Sequence, residues 1–262
     1  MDVRAVAVAG RGLVDPHGPV FAADDAALLR GSSVFEATRA YDGRPFRLDE
    51  HLARFAVSAE RVRLPPPDAT ECRRLVELVI GASEEKDLGL RLYWTGKTLA
   101  ATAASIDPEL EAQRARGLRL EVVAWSTGAL ASAKSMSYAE NMAAQDAAIA
   151  GGADDALLVA YDGTVLEAPT ANVFWREADR LLTPSLDLPI LAGVTRAVLL
   201  EVADQETVEG VFPLARLLEA DEVFLCSSIR EVMPVASVDG KEFSLGPTAH
   251  DLQQALRRLA AA

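Results

Sequence analysis

The sequence predicts an α+β protein of two domains joined by a short linker. Helical and strand patterns are mixed along the whole chain, which has no internal repeat and no low-complexity tract. Half of the 262 residues are apolar, enough to bury one large core or two ordinary ones. Residues 126–133 (Ser-Thr-Gly-Ala-Leu-Ala-Ser-Ala) are small, uncharged and without periodicity, as is typical of a linker. We therefore expect an N-terminal domain at 1–125, a linker at 126–133 and a C-terminal domain at 134–262.

The N-terminal part of the sequence alternates between strand and helix signals. Apolar or alternating runs predict the strands, and the Asp42-Gly43 dipeptide predicts a hairpin turn. Asp49 is a candidate N-cap for a helix with one apolar face, which the proline run at 65–67 ends. The predicted strands are 3–9, 33–41, 44–48, 89–94 and 118–125, and the predicted helices are 49–63 and 69–82.

The C-terminal part gives the same kinds of signal. A helix is predicted at 138–150, and the Asp162-Gly163 dipeptide predicts a second hairpin between strands at 156–161 and 164–168. The remaining predicted elements are strands near Val173, near Leu181 and at 222–226, and helices at 194–203 and from Thr248 onward.

The charge balance narrows the classes of function. With 39 acidic and 26 basic residues the formal net charge is −13, which argues against a nucleic-acid surface but permits a local pocket for a small anion. The two cysteines and three histidines show neither metal-ligand spacing nor a disulfide pattern, so we expect no metal and a reducing, cytoplasmic environment. The N-terminus lacks a signal-like apolar core and no stretch has the length of a membrane span, so no membrane association is expected.

Lysines are scarce, which limits any chemistry that needs a neutral amine. The chain has four: Lys86, Lys97, Lys134 and Lys241. Lys134 is the only charged residue between positions 122 and 139. Such surroundings desolvate an amine and favour its neutral form, which Schiff-base chemistry with an aldehyde or ketone requires. On local sequence alone, a linker lysine that extends to water is the alternative.

Two segments are candidates for binding an anion. Gly193, Val194 and Thr195 open an apolar helix, where free N–H groups and a hydroxyl at the positive end of the helix dipole would suit a phosphate. Ser227 and Ser228, after the strand at 222–226, would add further donors. Each segment is equally explained as an ordinary boundary between a loop or turn and a regular element.

Glu167 and Arg54 are two further candidates for binding a ligand. Glu167 closes a predicted strand, and its carboxylate would suit a basic ring nitrogen, such as a pyridine that must stay protonated. A strand end followed by a polar turn is the alternative. Arg54 lies on the predicted helix at 49–63, either as a solvated residue or as a further cation for the same anion.

Taken together, these pieces resemble the class IV (fold type IV) pyridoxal-phosphate-dependent aminotransferases over most of the chain. The N-terminal block comprises residues 31–39 (Gly-Ser-Ser-Val-Phe-Glu-Ala-Thr-Arg), 42–43 and 50–54 (Glu-His-Leu-Ala-Arg). The central block comprises Lys134, Tyr138, Asn141, residues 155–158, Gly163, Glu167 and residues 172–174. The C-terminal blocks are 183–184, 191–196, 222–225, 234–235 and 239–240. So many blocks in the family's order make the resemblance specific, and it favours the reactive interpretation of Lys134.

The resemblance implies the fold, the cofactor and the roles of residues. It implies a smaller N-terminal and a larger C-terminal α/β domain, pyridoxal 5'-phosphate as cofactor, and a homodimer. Lys134 would bind the cofactor as a Schiff base and later shuttle a proton, and Glu167 would hold the protonated ring nitrogen. The phosphate and the phenolate oxygen would be contacted by Arg54, Gly193, Val194, Thr195, Ser227, Ser228 and Tyr138.

The substrates implied are an amino acid and a 2-oxo acid, with the choice open within the family. Lys134 lacks the Gly-Gly-Asn-Tyr run that follows the lysine of branched-chain enzymes, and residues 95–98 (Thr-Gly-Lys-Thr) lack the Arg-x-His trap of many bacterial D-amino-acid enzymes. The pattern favours an atypical D-amino-acid transaminase. The alternatives are a branched-chain L-amino-acid transaminase, an (R)-amine transaminase, aminodeoxychorismate lyase or, more remotely, a non-catalytic PLP-binding protein.

Four residues are candidates for contact with the substrate. Phe35 and Ile229 are expected beside the substrate. Arg30 and Lys97 are each either a clamp for the substrate carboxylate or a solvated residue at the rim.

Overall fold

The computed structural model describes residues 2–126 and 128–261, which form two compact units of mixed helix and strand. The first unit contains residues 2–107 and 132–137, and the second contains the other described residues. Among the described residues, no helix combines the length and apolar character needed to cross a bilayer, and no three His, Cys, Asp or Glu side chains are grouped so as to hold a metal ion.

The first unit is built on a six-stranded antiparallel sheet with the order β2-β1-β6-β5-β3-β4. Its elements are β1 (Val3–Val8), β2 (Gly12–Val14), α1 (Ala26–Arg30), β3 (Val34–Tyr41), β4 (Arg44–Pro45), α2 (Leu48–Arg61), α3 (Ala69–Gly81), β5 (Leu88–Trp94) and β6 (Leu99–Ser105).

The two faces of this sheet have different roles. Alternate residues of a strand point to opposite faces. One face packs against α2 and α3 and forms the core, in which Leu88 and Leu90 of β5 join Phe55 and Leu75, all at most 1% exposed. The opposite face carries Phe35 of β3, which pairs with Tyr93 of β5, and Ala37, which pairs with Arg91.

The second unit is built on a larger mixed sheet. Its path runs β11-β10-β9-β12-β13-β7-β8, with β14 paired to β13; β10–β11, β13–β7 and β7–β8 are parallel pairs. Its elements are α4 (Glu109–Arg116), β7 (Leu118–Trp125), α5 (Ala139–Ala150), β8 (Asp155–Ala160), β9 (Asn172–Glu177), β10 (Arg180–Pro184), α6 (Val194–Val202), β11 (Glu206–Gly210), α7 (Leu214–Leu217), β12 (Glu222–Ser227), β13 (Glu231–Val238), β14 (Lys241–Glu242) and α8 (Pro247–Ala261).

The division into units differs from the one predicted at 125 and 134. The strand at 118–125 was expected to end the N-terminal domain, but as β7 it lies between β13 and β8 in the sheet of the second unit. Lys134 was expected to begin the C-terminal domain, but residues 132–137 belong to the first unit. Within the predicted linker, Thr127 lies outside the described residues. Pairing partners distant in sequence decide where both segments belong, and a local reading of composition cannot identify them.

Two local predictions need correction. Asp49 does not cap α2: the helix begins at Leu48, Arg47 holds the N-cap position in a left-handed conformation (φ 51°), and Asp49 lies in the first turn. Residues 164–168 make hairpin hydrogen bonds with β8, such as Leu166 N to Leu158 O at 3.0 Å, but Val165 N donates to Phe212 O at 2.9 Å, and no continuous strand forms.

Candidate functional site

Lys134 is held by its backbone at the edge of the first unit's sheet. Residues 134–136 pair with the start of β3: Phe35 N donates to Lys134 O and Met136 N donates to Ser33 O, each at 3.0 Å. The backbone N–H of Lys134 donates to the hydroxyl of Ser58, a buried residue of α2, at 3.1 Å. Residues 134–136, which follow the predicted linker at 126–133, are therefore fixed at three points.

The side chain of Lys134 lies against an aromatic ring. Its Nζ is 4.6 Å from the centroid of the Phe35 ring, and the residue is half-buried. The ring of Phe35, a residue predicted to contact the substrate, covers one side of the amine. An aromatic face excludes water on that side of the amine and also attracts the amine when it is protonated.

Arg54 takes part in a buried network that the sequence did not reveal. Its Nε and Nη2 donate to the two oxygens of Glu36 at 2.8 and 2.7 Å, and His51 Nδ1 is 2.8 Å from Glu36 Oε2. Burial raises the pKa of Glu36, but the charge and hydrogen bonds of Arg54, with those of His51, outweigh it and hold the pKa at about 2. Burial lowers the pKa of His51, with the charges of Arg54 and Lys134 adding to the effect and Glu36 opposing it. The network therefore consists of an ionised carboxylate, a guanidinium and a neutral imidazole at neutral pH.

Glu167 is held in place by two donors of the second unit. Leu191 N donates to both carboxylate oxygens at 3.2 Å, and Asn172 Nδ2 donates to Oε2 at 3.1 Å. Asn172 is itself fixed, because its Nδ2 also donates to Leu191 O at 2.9 Å. This arrangement orients Glu167, and a carboxylate is a group that accepts from a protonated ring nitrogen.

Tyr138 stands at the start of α5 beside the turn that follows Glu167. Its hydroxyl donates to Pro169 O at 2.8 Å, and Asn141 Nδ2 donates to the same carbonyl at 3.2 Å. The hydroxyl has a single O–H, so it could donate to a phenolate oxygen only by turning away from Pro169 O. The role predicted for Tyr138 beside the cofactor's phenolate oxygen remains untested.

The N-terminus of α6 has the features of an anion site. Gly193 occupies the N-cap position, where no side chain caps the helix. Thr195 Oγ1 is 3.4 Å from Ser228 Oγ, so two hydroxyls lie side by side next to the helix start. Ser228 and Ile229 lie in the turn between β12 and β13, and Ser227, at the end of β12, accepts from Arg230 N at 3.4 Å. Backbone N–H groups and two hydroxyls at the positive end of a helix suit a phosphate.

These residues fit pyridoxal phosphate, the cofactor that the resemblance implies. A partly desolvated amine suits its aldehyde, an oriented carboxylate suits its ring nitrogen, and an uncapped helix start with two hydroxyls suits its phosphate. The first feature lies in the first unit and the other two lie in the second.

The two predicted carboxylate clamps are solvent-accessible. Arg30 is exposed at the end of α1, and Lys97 is 62% exposed with its Nζ 3.4 Å from Asp24 Oδ2. The structure offers another cation that sequence reasoning missed. Arg91 lies on the same sheet face as Phe35, and among the described residues its buried Nε has no hydrogen-bond partner. A charged residue inside the apolar alternation of β5 (Leu-Gly-Leu-Arg-Leu-Tyr-Trp) was the available signal.

Replacing Gly193 with alanine should loosen both the Glu167 arrangement and the helix start. A Cβ at this position would lie 2.0 Å from Asn172 Oδ1, so Asn172, only 5% exposed, would have to move away from Glu167. We expect kcat/KM to fall roughly tenfold, the effect of about 1.4 kcal/mol. Gly81→Ala is the matched control, because a Cβ there meets nothing within 4 Å. Equal kinetics for the two variants would contradict the close packing described here.

Comparison with a family model gives a match over most of the chain. Residues 33–238 match the model described as class IV amino-transferase. This range contains Lys134, Glu167 and the start of α6.

Individual relatives align over most of their length. A bifunctional aminodeoxychorismate lyase / D-amino acid transaminase of Mycobacterium tuberculosis is 32% identical, with 90% of this chain and 92% of that protein covered. A putative branched-chain-amino-acid aminotransferase of Methanocaldococcus jannaschii is 31% identical, with 83% and 82% covered. Among solved structures, a hypothetical aminotransferase from Mycobacterium tuberculosis with alpha-ketoglutarate and PMP bound has a TM-score of 0.91, 29% identity and 98% of each chain covered.

Proposed function

Because this chain belongs to the class IV aminotransferase family, we propose that it is a pyridoxal-phosphate-dependent transaminase that moves an amino group from a D-amino acid to a 2-oxo acid. One observation carries the catalytic part of the proposal: the amine of Lys134, on a backbone held at three points, lies 4.6 Å from the Phe35 ring centroid. A reactive amine requires such a fixed and partly desolvated position.

Each residue has a defined task in the proposed reaction. When bound, pyridoxal phosphate supplies an electron sink that stabilises the negative charge developing at the substrate Cα. Lys134 would bind the cofactor and, once displaced by the donor, would carry the proton through Nζ from the substrate Cα to the C4′ carbon of the cofactor. The Glu167 carboxylate keeps a proton on the ring nitrogen. The family resemblance assigns the phosphate dianion to the start of α6, Ser228 and Arg54.

The proposed preference for D-amino acids is supported by the sequence and by one relative. The Gly-Gly-Asn-Tyr run of branched-chain enzymes is absent after Lys134. The relative from Mycobacterium tuberculosis carries D-amino acid transaminase and lyase in its name. The branched-chain transaminase, the (R)-amine transaminase and the lyase are therefore the competing activities.

A donor panel tests the proposal. The purified protein, saturated with pyridoxal phosphate, should be yellow and should lose that colour on addition of D-alanine or D-glutamate, with 2-oxoglutarate restoring it. L-leucine and (R)-1-phenylethylamine test the competing transaminases, and aminodeoxychorismate tests the lyase by release of pyruvate. Bleaching by L-leucine alone, or pyruvate release without any transamination, would overturn the D-amino-acid proposal.

We propose Arg91 as a clamp for the substrate carboxylate, alongside the sequence candidates Arg30 and Lys97. Phe35 pairs with Tyr93, and Arg91 is two residues further along β5 on the same face, a diagonal spacing that long side chains can bridge. Its unpartnered buried Nε favours it over Lys97, whose amine is exposed and paired with Asp24.

Arg91→Met should therefore raise KM for D-alanine without changing KM for a plain amine. A hydrogen bond to a charged group contributes about 1.5–3 kcal/mol, which corresponds to a rise of about tenfold to hundredfold. Arg30→Met and Lys97→Met are the comparison variants, and initial-rate kinetics with both donor types is the measurement. If Arg91→Met affects both donors equally while one of the other variants is selective, that residue is the clamp.

The family usually forms homodimers, and we propose that state for this chain, together with a cytoplasmic location. The two cysteines, which show no disulfide pattern, support the location. Light scattering of the purified protein would test the dimer.

A further inference from the structure

We propose that Glu36 is a positioning residue for the cofactor phosphate: it fixes the guanidinium of Arg54 in the orientation that binds it. The inference rests on the proposed function, in which Arg54 contacts the phosphate. It concerns a buried acid that neither sequence reasoning nor the family's roles single out.

The geometry of the pair leaves Arg54 little freedom. Nε and Nη2 of Arg54 donate to separate oxygens of Glu36, at 2.8 and 2.7 Å, and such a bidentate pair fixes both the position and the plane of a guanidinium. Glu36 is 1% exposed and the Arg54 side chain is 11% exposed, so water competes weakly for either partner. The pair joins β3 to α2 across 18 residues of sequence.

Glu36 is itself held by further donors. His51 Nδ1 is 2.8 Å from Oε2, and Ala37 N donates to the same oxygen at 3.3 Å. Because His51 is buried and neutral at neutral pH, the hydrogen-bond network assigns its Nδ1–H as the donor to Glu36. The carboxylate therefore cannot rotate without breaking contacts to three residues.

If the Glu36–Arg54 pair had a purely structural role, the expected effect on cofactor binding would be different. A buried ion pair that only stabilises the fold would, when broken, weaken binding of any cofactor form to a similar extent. A positioning role acts on the phosphate alone. Pyridoxal, which lacks the phosphate, reports on the rest of the site.

The experiment compares dissociation constants for pyridoxal phosphate and pyridoxal, measured by quenching of tryptophan fluorescence on apoprotein prepared from the full chain. Glu36→Gln should raise the constant for pyridoxal phosphate about tenfold, the effect of about 1.4 kcal/mol, and leave that for pyridoxal within about twofold of wild type. Glu36→Asp, which keeps the charge, should recover part of the loss. Asp87→Asn is the matched control, since Asp87 also makes a bidentate pair with an arginine of this unit, Arg39.

The variant Arg54→Met distinguishes the positioning role of Glu36 from the phosphate-binding role of Arg54. It should show the same phosphate-selective loss, and the double variant Glu36→Gln/Arg54→Met should lose no more than Arg54→Met alone. If Arg54→Met is selective and Glu36→Gln is not, or if Glu36→Gln weakens both ligands equally, the positioning role is refuted. If Arg54→Met is not selective either, the phosphate role of Arg54 in the proposed function fails.

Discussion

Replacement of Lys134 by alanine should abolish the yellow colour of the holoprotein and lower kcat by at least about 10⁴-fold, the upper range for loss of a positioned acid–base group. The fold should survive, because the contacts that hold this segment to Phe35, Ser33 and Ser58 come from the backbone. The loss is therefore chemical: the variant has no amine at this point of the sheet edge to bind the cofactor or to move the proton. Absorbance spectra and single-turnover kinetics with D-alanine measure both effects.

The matched control for this variant is Lys86→Ala, because Lys86 is an exposed lysine of the same unit. Partial recovery of Lys134→Ala by added methylamine would show that the missing group is the amine and not the fold. Hydride reduction of the wild-type holoprotein, followed by peptide mass spectrometry, should find the cofactor on Lys134. Attachment at Lys86, Lys97 or Lys241, or at no residue, would refute the mechanism proposed here.

The sequence was sufficient to select Lys134 as the reactive amine, but it did not show which residues surround that amine. Lys134 could be found because isolation from other charges is a local property. Its position beside β3 could not be predicted, because the pairing of residues 134–136 with 33–35 joins segments about 100 residues apart. The same limit explains why the domain boundary fell in the wrong segment: β7 is a strand by local pattern, but its partners are β8 and β13.

Glu36 and Arg91 were missed for a related reason. Strands often alternate between apolar residues that face the core and polar residues that face water. A glutamate or an arginine in such a strand is therefore predicted to lie on the side that faces water. Here Glu36 is buried against α2 by His51 and Arg54, and the Nε of Arg91 is buried on the other face. Only the three-dimensional register shows that Glu36 and the Nε of Arg91 are shielded from water.

Some strands were missed because their composition disagrees with their position. β6 contains four alanines in seven residues, a residue depleted in strands, yet it lies in the interior of the sheet between β1 and β5. β13 contains Pro234, which argues against an interior strand, yet it lies between β12 and β7. In β6, small side chains such as Ala101 and Ala103 pack in the core. In both strands, pairing with the neighbouring strands outweighs the low β propensity of these residues.

Replacement of Glu167 by glutamine should lower kcat by about 10²–10³-fold, the usual cost of losing one preorganised electrostatic contact, while KM for the donor changes little. Glutamine keeps one oxygen to accept from Leu191 N, so the turn and the cofactor site should remain formed. What is lost is the negative charge that keeps the ring nitrogen protonated, and with it the electron withdrawal needed when the substrate Cα loses its proton. Circular dichroism and cofactor affinity should therefore stay close to wild type.

Two further variants test whether the fall in kcat comes from the loss of negative charge at position 167. Glu167→Asp keeps the charge but shortens its reach, so its kcat should fall between those of wild type and Glu167→Gln. Glu140→Gln removes an exposed acid of the same unit and should leave kcat unchanged. A primary isotope effect from Cα-deuterated D-alanine should increase in Glu167→Gln, because proton removal becomes the slower step. If kcat falls without any such increase, Glu167 acts on cofactor retention or on the fold rather than on the ring nitrogen, and its assignment here is wrong.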